Sequence, residues 1–164
     1  MVKNAFCKFD YGFSKEIEML VKINELLDDE LVLIKTADKY CCVDFELTND
    51  NKLVCYIELK SRRNIANFND LMIGETKLYN ISKLEQRSDD AKHSKKTILL
   101  WIDGDTYYYC YFDEKFLKYR NGYCGGSAVI YIPKTDMTIA DINSFVYLLN
   151  SDYSKCVSDA NSLF

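Results

Sequence analysis

Three charged residues on two neighbouring apolar segments have the types and spacing of a catalytic site. Glu58 and Lys60 end the alternating segment 54–60. Because strand side chains alternate between faces, both should project from the same face of one strand. Asp44 lies on the preceding segment 40–47, among neighbours that are almost all apolar. A carboxylate in apolar surroundings needs a partner, so we expect Asp44 to belong with Glu58 and Lys60.

Two carboxylates and a lysine fit hydrolysis assisted by a hard divalent cation. Mg²⁺ takes oxygen ligands, usually one or two protein carboxylates together with waters and substrate phosphates. The bound cation lowers the pKa of its water and neutralises charge that builds up on a phosphoryl oxygen. A lysine supplies a point charge near the nucleophile or the phosphate. These residue types favour cleavage of phosphodiester bonds, with Mg²⁺ or Mn²⁺ as cofactor.

Two alternatives concern the same residues. Glu58 and Lys60 also fit the solvent-facing side of an edge strand, where charged residues are common. Glu46 lies two residues after Asp44 and shares its face, so it is the rival ligand if the site is shifted by one pleat.

The order of these residues resembles the motif of the PD-(D/E)xK nuclease superfamily, which includes restriction endonucleases, Holliday-junction resolvases and phage recombination nucleases. Asp44 is followed, after thirteen residues, by Glu58-Leu59-Lys60, and Val43 stands where the motif has proline. The resemblance covers about residues 14–84. It implies that Asp44 and Glu58 bind the metal, with the carbonyl of Leu59 as a further ligand. It also implies that Lys60 orients the attacking water.

In the same superfamily a glutamate on the first helix completes the outer shell of the site. Ser14 can cap a helix that runs to about Leu27. Counted from Glu16, apolar residues fall at helical spacing on one side, so Glu16 lies beside the buried face and takes the catalytic outer-shell role. Glu18 aligns with a polar stripe and is the second choice. An acid in the first turn also complements the helix dipole without any catalytic role.

The segment after the motif strand carries a second candidate lysine. Asn67 or Asn69 is expected to cap a helix whose apolar residues continue to Leu84. Residues 68–77 also resemble the helix that follows the E-x-K strand in phage-type and virus-type members of the superfamily. In those proteins a second lysine or glutamine faces the site, and Lys77 has that position here.

Positive charge is concentrated next to the candidate site. The whole chain has a net charge of −4, but residues 60–96 contain nine Lys and Arg against five Asp and Glu. This segment therefore carries +4 and the remainder −8. Affinity for nucleic acid comes mostly from local neutralisation of phosphates, so we expect Arg62, Arg63 and Lys77 to hold phosphates.

Four tyrosines lie within residues 106–112. Aromatic rings stack on unpaired bases with little sequence preference, but tyrosine is also a common strand former. These tyrosines are therefore consistent with base stacking and with simple strand formation.

Length and composition predict one intracellular domain over residues 1–164. The 48% hydrophobic content is enough for a core, and neither a membrane span nor a signal peptide is recognisable. Seven cysteines, without a C-x-x-C pair, favour a reducing compartment, cytoplasmic or nuclear. The abundance of Lys, Asn, Tyr and Ile is typical of AT-rich genomes such as viral, phage or protozoan ones.

The order of elements predicts an α/β fold with a mixed central β-sheet flanked by helices, a restriction-endonuclease-like core. Strands are expected at 31–35, 40–47, 53–60, 97–102, 106–112 and 128–132. The leading hypothesis is a metal-dependent endonuclease that acts on DNA in preference to RNA, without a membrane partner, and as a homodimer if it cuts both strands. The alternatives are a catalytically inactive nuclease-like module that binds nucleic acid or protein, an RNA-cleaving member, and a structural or assembly protein.

Overall fold

A six-stranded sheet forms the centre of the protein. The computed structural model describes residues 15–36, 42–86 and 95–162. The strands follow the order β1-β2-β3-β5-β6-β9. Of the described strands in this sheet, β3 and β5 pair in parallel and all other neighbours are antiparallel. Their bounds are β1 Leu31–Lys35, β2 Phe45–Asn49, β3 Lys52–Ser61, β5 Lys96–Asp103, β6 Thr106–Tyr111 and β9 Thr138–Ala140.

A second, antiparallel sheet has the strand order β4-β8-β7. Three α-helices and three short 3₁₀ helices complete the described part of the chain. The strands are β4 Asp70–Gly74, β7 Asn121–Cys124 and β8 Ser127–Pro133. The α-helices are α1 (residues 15–26), α2 Glu75–Gln86 and α3 Ile142–Ser162, and the 3₁₀ helices are Ile65–Asn67, Glu114–Lys118 and Lys134–Asp136.

Two hydrophobic cores lie on opposite faces of the main sheet. On one face α1 and α3 pack against the sheet, with Ile23, Phe145 and Ile57 fully buried between them. On the other face α2 and the second sheet pack around Leu78 and Trp101. Helices therefore cover both faces of a mixed sheet, which confirms the predicted α/β architecture.

A tight hairpin joins the second and third strands. Asn49 pairs with Lys52, so Asp50 and Asn51 form a two-residue loop. Both have positive φ, 50° and 67°, as such tight hairpin loops require, and Asp and Asn tolerate this conformation better than most residues. The second strand begins at Phe45 rather than at residue 40; residues 40 and 41 lie outside the described ranges.

The helix predicted to start at Asn67 or Asn69 is wrong in its first half. Asp70–Gly74 is a strand, because Leu71 and Ile73 are buried at period 2 and β4 pairs with β8. Helix α2 begins only at Glu75. Gly74 ends the strand, so it does not interrupt a helix.

The connection between the parallel strands positions the candidate site. Parallel neighbours require a crossover connection, and here β4 and α2 provide it between β3 and β5. The first turn of α2 carries Lys77, which this crossover returns to the face of β3. No helix in the described ranges is long and apolar enough to cross a membrane.

Candidate active site

The pairing of β2 with β3 brings Asp44 alongside Glu58. Phe45 pairs with Ile57, and Asp44 lies one residue before β2. Its N–H donates to the carbonyl of Ile57 at 3.1 Å, so the backbone contact with β3 continues beyond the end of the strand. The two acids predicted from the sequence to converge are thus neighbours across the hairpin, close enough for the charge of Asp44 to act on Glu58.

Asp44 is anchored on both sides by hydrogen bonds. Its carbonyl accepts from the N–H of Thr36 at 2.9 Å and from the Thr36 hydroxyl at 3.2 Å. Its side-chain Oδ2 accepts from the N–H of Leu59 at 2.9 Å. Since backbone groups of two strands hold this residue, the carboxylate has little freedom to move away from Glu58.

Glu58 is a buried acid between two lysines. Its side chain is only 2% exposed, and Oε1 lies 3.4 Å from Nζ of Lys60 and 3.3 Å from Nζ of Lys77. The other oxygen, Oε2, is buried and has no hydrogen-bond partner among the described residues. A buried carboxylate oxygen without a donor is costly. Oε1 is therefore satisfied by the two lysines, and Oε2 is left to bind a cation or to accept a hydrogen bond.

The surroundings raise the pKa of Glu58 to about 7. Burial is the largest cause, because it disfavours the charged form, and the nearby charge of Asp44 adds to it. Lys77 and Lys60 act in the opposite direction but do not compensate fully. Without a cation, the carboxyl would be partly protonated at neutral pH.

Helix α2 holds Lys77 in place through its apolar face. Leu78 and Ile81 are fully buried in the core beneath the helix, which fixes the rotation of the first turn. Lys77 lies beside Leu78 and reaches back to the Glu58 carboxylate on β3. Although the sequence misplaced the start of this helix, Lys77 lies beside Glu58, and its phosphate-holding role stays a prediction.

The two glutamates of α1 take part in other ion pairs. Glu16 is paired with Lys35 at the end of β1. Glu18 is about half exposed and lies 2.9 Å from Lys22 and 3.8 Å from Lys15. The structure therefore brings neither glutamate into contact with Glu58 or Asp44, and the outer-shell role of Glu16 stays a prediction.

The rival ligand Glu46 lies further along β2. It pairs with Tyr56 of β3 and with Ile34 of β1, one pleat away from Asp44. Asp44 and Glu58 are thus the closer pair of acids around the lysines.

Arg62 and Arg63 follow directly on the end of β3. The N–H of Arg62 donates to the carbonyl of Ile102 at 3.0 Å, which ties this segment to the end of β5. Both arginines are exposed and line two cavities beyond the carboxyl ends of the parallel strands. They lie two and three residues after Lys60, and their phosphate-holding role stays a prediction.

The donors present fit a hard divalent cation held by few protein ligands. Across the described ranges no three His, Cys, Asp or Glu side chains gather closely enough to hold a metal ion. Asp44 and Glu58 are a pair, and Glu58 has an unpartnered buried oxygen. Mg²⁺ is commonly bound by one or two carboxylates, with waters and phosphates completing its shell. A two-acid site is therefore suitable for Mg²⁺ or Mn²⁺ and unsuitable for a closed structural zinc centre.

Sequence reasoning missed two features of this site. One is Thr36, whose backbone and hydroxyl fix Asp44. The other is the N–H of Leu59, which binds the Asp44 carboxylate, whereas only the carbonyl of Leu59 was predicted to matter. A threonine at a strand end is too common to signal a role, and backbone donors leave no trace in residue types.

Comparisons with known proteins give distant structural similarity without a sequence match. A scan against protein-family models and a search of curated protein sequences return no match. Among solved structures, the chain is similar to Hjc, a Holliday junction resolvase from the archaeal hyperthermophile Archaeoglobus fulgidus. The TM-score is 0.47 and the identity 12%, over 78% of this chain and 96% of the resolvase. The functional assignment rests on the geometry of the site.

Proposed function

We propose that this protein is a metal-dependent nuclease that hydrolyses phosphodiester bonds in DNA. The observation that carries this proposal is the buried carboxylate of Glu58, with Asp44 beside it, two lysines on Oε1 and, among the described residues, no partner on Oε2. A purely structural ion pair would be expected to satisfy both oxygens of a buried carboxylate. The combination of an anchored acid, an unsatisfied acid and two cations is suited to a metal and a phosphate together.

Asp44 and Glu58 would hold Mg²⁺ or Mn²⁺, and the carbonyl of Leu59 would be a further ligand. When bound, the cation would supply charge neutralisation at the phosphoryl oxygens and a water of lowered pKa. Asp44 contributes a carboxylate that is already positioned by the N–H of Leu59. Glu58 contributes the buried oxygen that has no other partner in the described chain.

Lys60 and Lys77 would divide the contacts to water and phosphate. Both ammonium groups are within 3.4 Å of the same Glu58 oxygen, and both side chains are partly exposed, at 23% and 30%. They therefore reach the solvent side of the carboxylate, where a substrate would approach. Lys60, on the same strand as Glu58, would donate to the attacking water and orient it. Lys77, on α2, would donate to a phosphate oxygen. Glu16 is the remaining candidate for an outer-shell role.

DNA is the proposed substrate because of the charge distribution. The acidic total of −4 would repel nucleic acid in general, but the segment that starts at Lys60 carries +4, and Arg62 and Arg63 extend it from the end of the motif strand. Local phosphate neutralisation is what binding requires. No feature of the site recognises a 2′-hydroxyl, so RNA belongs in the substrate panel as the alternative.

A second candidate is a nuclease-like module without catalysis. It is favoured by the absence of a three-acid cluster in the described residues and by the two lysines that already face Glu58. In that case the lysines would serve as a permanent ion-pair network, and the basic segment would bind nucleic acid or a protein partner.

Two variants and two matched controls test the proposal. Asp44→Asn and Lys60→Met should each reduce Mg²⁺-dependent cleavage at least ~100-fold, in the range expected for losing a positioned catalytic group. Glu46→Gln, two residues after Asp44 on β2, and Lys52→Met, at the other end of β3, should leave cleavage within about twofold. The substrates are duplex, single-stranded and branched DNA and RNA, each with Mg²⁺, Mn²⁺ or EDTA.

Calorimetry with Mn²⁺ separates the two candidates. A working site binds Mn²⁺ and loses that binding in Asp44→Asn but keeps it in Lys60→Met. Undiminished cleavage in either variant would rule out these catalytic roles. Absence of Mn²⁺ binding, together with salt-dependent DNA binding, would favour the inactive module.

A further inference from the structure

A cavity of about 310 Å³ lies beside the candidate site on the same face of the main sheet. Trp101, which pairs with Lys60 across β3 and β5, forms part of its wall. The cavity therefore begins one strand away from the proposed catalytic lysine. Its other lining residues include Arg62, Arg63, Phe68, Met72 and Tyr131.

One wall of this cavity is an exposed aromatic ring. Phe68 connects the 3₁₀ helix at residues 65–67 to β4, and 57% of it is exposed. Large apolar side chains at this exposure are ordinary when isolated. Here, however, Phe68 stands at the mouth of a cavity lined by other aromatic residues, which is where an exposed ring can stack on a planar ligand.

The other aromatic walls, Trp101 and Tyr131, are held in place by contacts that fix the ring planes. Trp101 is buried and its Nε1–H donates to the carbonyl of Met72 at 3.3 Å. The guanidinium of Arg120 stacks on the ring of Tyr131, 4.0 Å from its centroid. Gly122 lies so close to the same ring that a Cβ there would come within 3.0 Å of Tyr131 Cε2. These walls are preformed, so a ligand would not have to order them.

The cavity is lined by two arginines and by one acid, Asp70, which is already paired with Arg120 at 2.8 Å, and the arginines are shared with a second cavity. Arg62 and Arg63 also line a space of about 580 Å³, together with Lys15 and Gly104. Asp103 is an acid in this second space, and its Oδ2 already accepts from the N–H of Ile65 at 2.9 Å. An aromatic cavity and a basic one thus meet at two arginines, which is the arrangement that the base and the phosphate of one nucleotide need.

We propose that the aromatic cavity receives an unpaired nucleobase, stacked on Phe68, while the adjoining phosphate lies on Arg62 and Arg63. This rests on the proposed nuclease function and narrows its substrate to nucleic acid with a single-stranded end, fork or branch. A continuous duplex keeps its bases stacked on one another and has none to place in the cavity. The guanidinium rim favours a nucleotide over an apolar peptide side chain.

The tyrosine cluster of β6 does not serve this purpose. Tyr107 and Tyr108 are buried, 5% and 7% exposed, and Tyr109 and Tyr111 pack against the core beneath α3. Of the two interpretations of residues 106–112, strand formation is the one the structure supports. Phe68 is an exposed ring next to the site that is available for stacking, and sequence periodicity gave no reason to select it.

The test measures binding in the Asp44→Asn background, so that the result does not depend on cleavage. Fluorescence anisotropy compares a forked duplex with a blunt duplex of the same length. A 2-aminopurine in the first unpaired position reports stacking as a loss of fluorescence. Phe68→Ser should weaken binding of the fork by roughly 5- to 100-fold, the range for removing one base–aromatic stack, and abolish the fluorescence change. Affinity for the blunt duplex should change by less than about twofold.

Two further variants complete the design. Phe68→Trp keeps a ring that can stack and should retain both the preference for the fork and the fluorescence change. Tyr147→Ser, an exposed aromatic residue on α3 at 74% exposure, is the matched control and should change neither. The midpoint of thermal unfolding checks that each variant is folded.

Three outcomes distinguish a failure of the nucleobase inference from a failure of the proposed nuclease function. Equal affinity for fork and blunt duplex, or a preference for the fork that survives Phe68→Ser, would overturn the nucleobase assignment even if the wild-type protein cleaves DNA. The same result is expected if the cavity holds an apolar peptide side chain. A preference for the fork that Phe68→Ser removes, in a protein that cleaves no substrate, would support the base cavity and overturn hydrolysis.

Discussion

Replacement of Glu58 by glutamine is expected to stabilise the metal-free protein at pH 8 and to remove its metal binding. Glutamine has nearly the shape of a protonated glutamate, so it should fit the same buried position. It carries no charge and therefore avoids the desolvation and the repulsion from Asp44 that the carboxylate experiences. A residue kept at a stability cost is typical of a functional site.

The magnitude follows from the pKa. The ordinary pKa of glutamate is 4.5, and that of Glu58 is raised to about 7. Between these two values the folded protein holds a proton that the unfolded chain has lost, so the free energy of unfolding falls as the pH rises through this window. One pKa unit corresponds to about 1.4 kcal/mol, which limits the loss above pH 7 to about 3 kcal/mol. We expect Glu58→Gln to gain about 1–3 kcal/mol at pH 8 and less than about 1 kcal/mol at pH 5.

Urea unfolding in EDTA at pH 5 and pH 8 measures this difference. For a chain of this length, 3 kcal/mol would also raise the midpoint of thermal unfolding by roughly 6–12 °C. Glu46→Gln, one pleat away on β2, is the control and should show no comparable gain at pH 8.

The opposite result would refute the reasoning. If Glu58→Gln lowers stability at pH 8 by about 3–5 kcal/mol, as happens when one member of a buried ion pair is removed, then Lys60 and Lys77 hold Glu58 as a structural network. The unpartnered oxygen would then have no bearing on metal binding.

Three more outcomes are expected. At subsaturating Mg²⁺, cleavage should rise roughly tenfold from pH 6 to pH 8 in a pH–rate profile, because Glu58 must lose its proton to bind the cation; a flat profile would contradict this. Lys77→Ala should lower the slope of log affinity for DNA against log salt by about one, as expected for losing one phosphate contact, and an unchanged slope would exclude that contact. Leu78→Ala should lower the free energy of unfolding in urea by about 2–5 kcal/mol, because Leu78 is fully buried under α2. Tyr79→Ala, at the exposed neighbouring position, should lower it by less than about 1 kcal/mol. Equal losses would mean that the packing of α2 does not fix the position of Lys77.

Short apolar runs and local alternation were sufficient to predict most of the main sheet. Segment 31–35 is an almost wholly apolar run, and segment 53–60 ends in apolar–polar alternation, so the local sequence indicates both strands. The continuous apolar run at residues 98–102 likewise predicts the buried strand β5. The hairpin loop at Asp50 and Asn51 is also local, because few residues other than glycine tolerate positive φ there.

The strand β4 could not be predicted in the same way. Leu71, Ile73 and Leu78 fit a helical stripe about as well as a strand followed by a helix, and the choice depends on pairing with β8, more than fifty residues later in the chain. Tertiary pairing of this kind overrides local preference. The same limit applies to Thr36 and to the walls around Phe68, since their roles arise from contacts between segments distant in sequence.

The location of Lys60 at the carboxyl end of β3 links the site to the cavity beyond it. In open α/β sheets, ligands bind where parallel strands end, and β3 and β5 are the parallel pair of the described sheet. Glu58 and Lys60 lie near the carboxyl end of β3, and Arg62 and Arg63 follow directly in sequence. The crossover through α2 places Lys77 at the same edge of the sheet. Under the proposed function, a substrate bound at this edge would contact the arginines before and during the reaction, whereas Asp44 would meet only the reacting phosphate. Arg62→Ala should therefore weaken DNA binding and cleavage together, whereas Asp44→Asn should abolish cleavage and leave binding nearly intact. Anisotropy and cleavage assays on the same samples measure the two effects, and a loss of binding in Asp44→Asn equal to that in Arg62→Ala would show that binding and catalysis are not divided in this way.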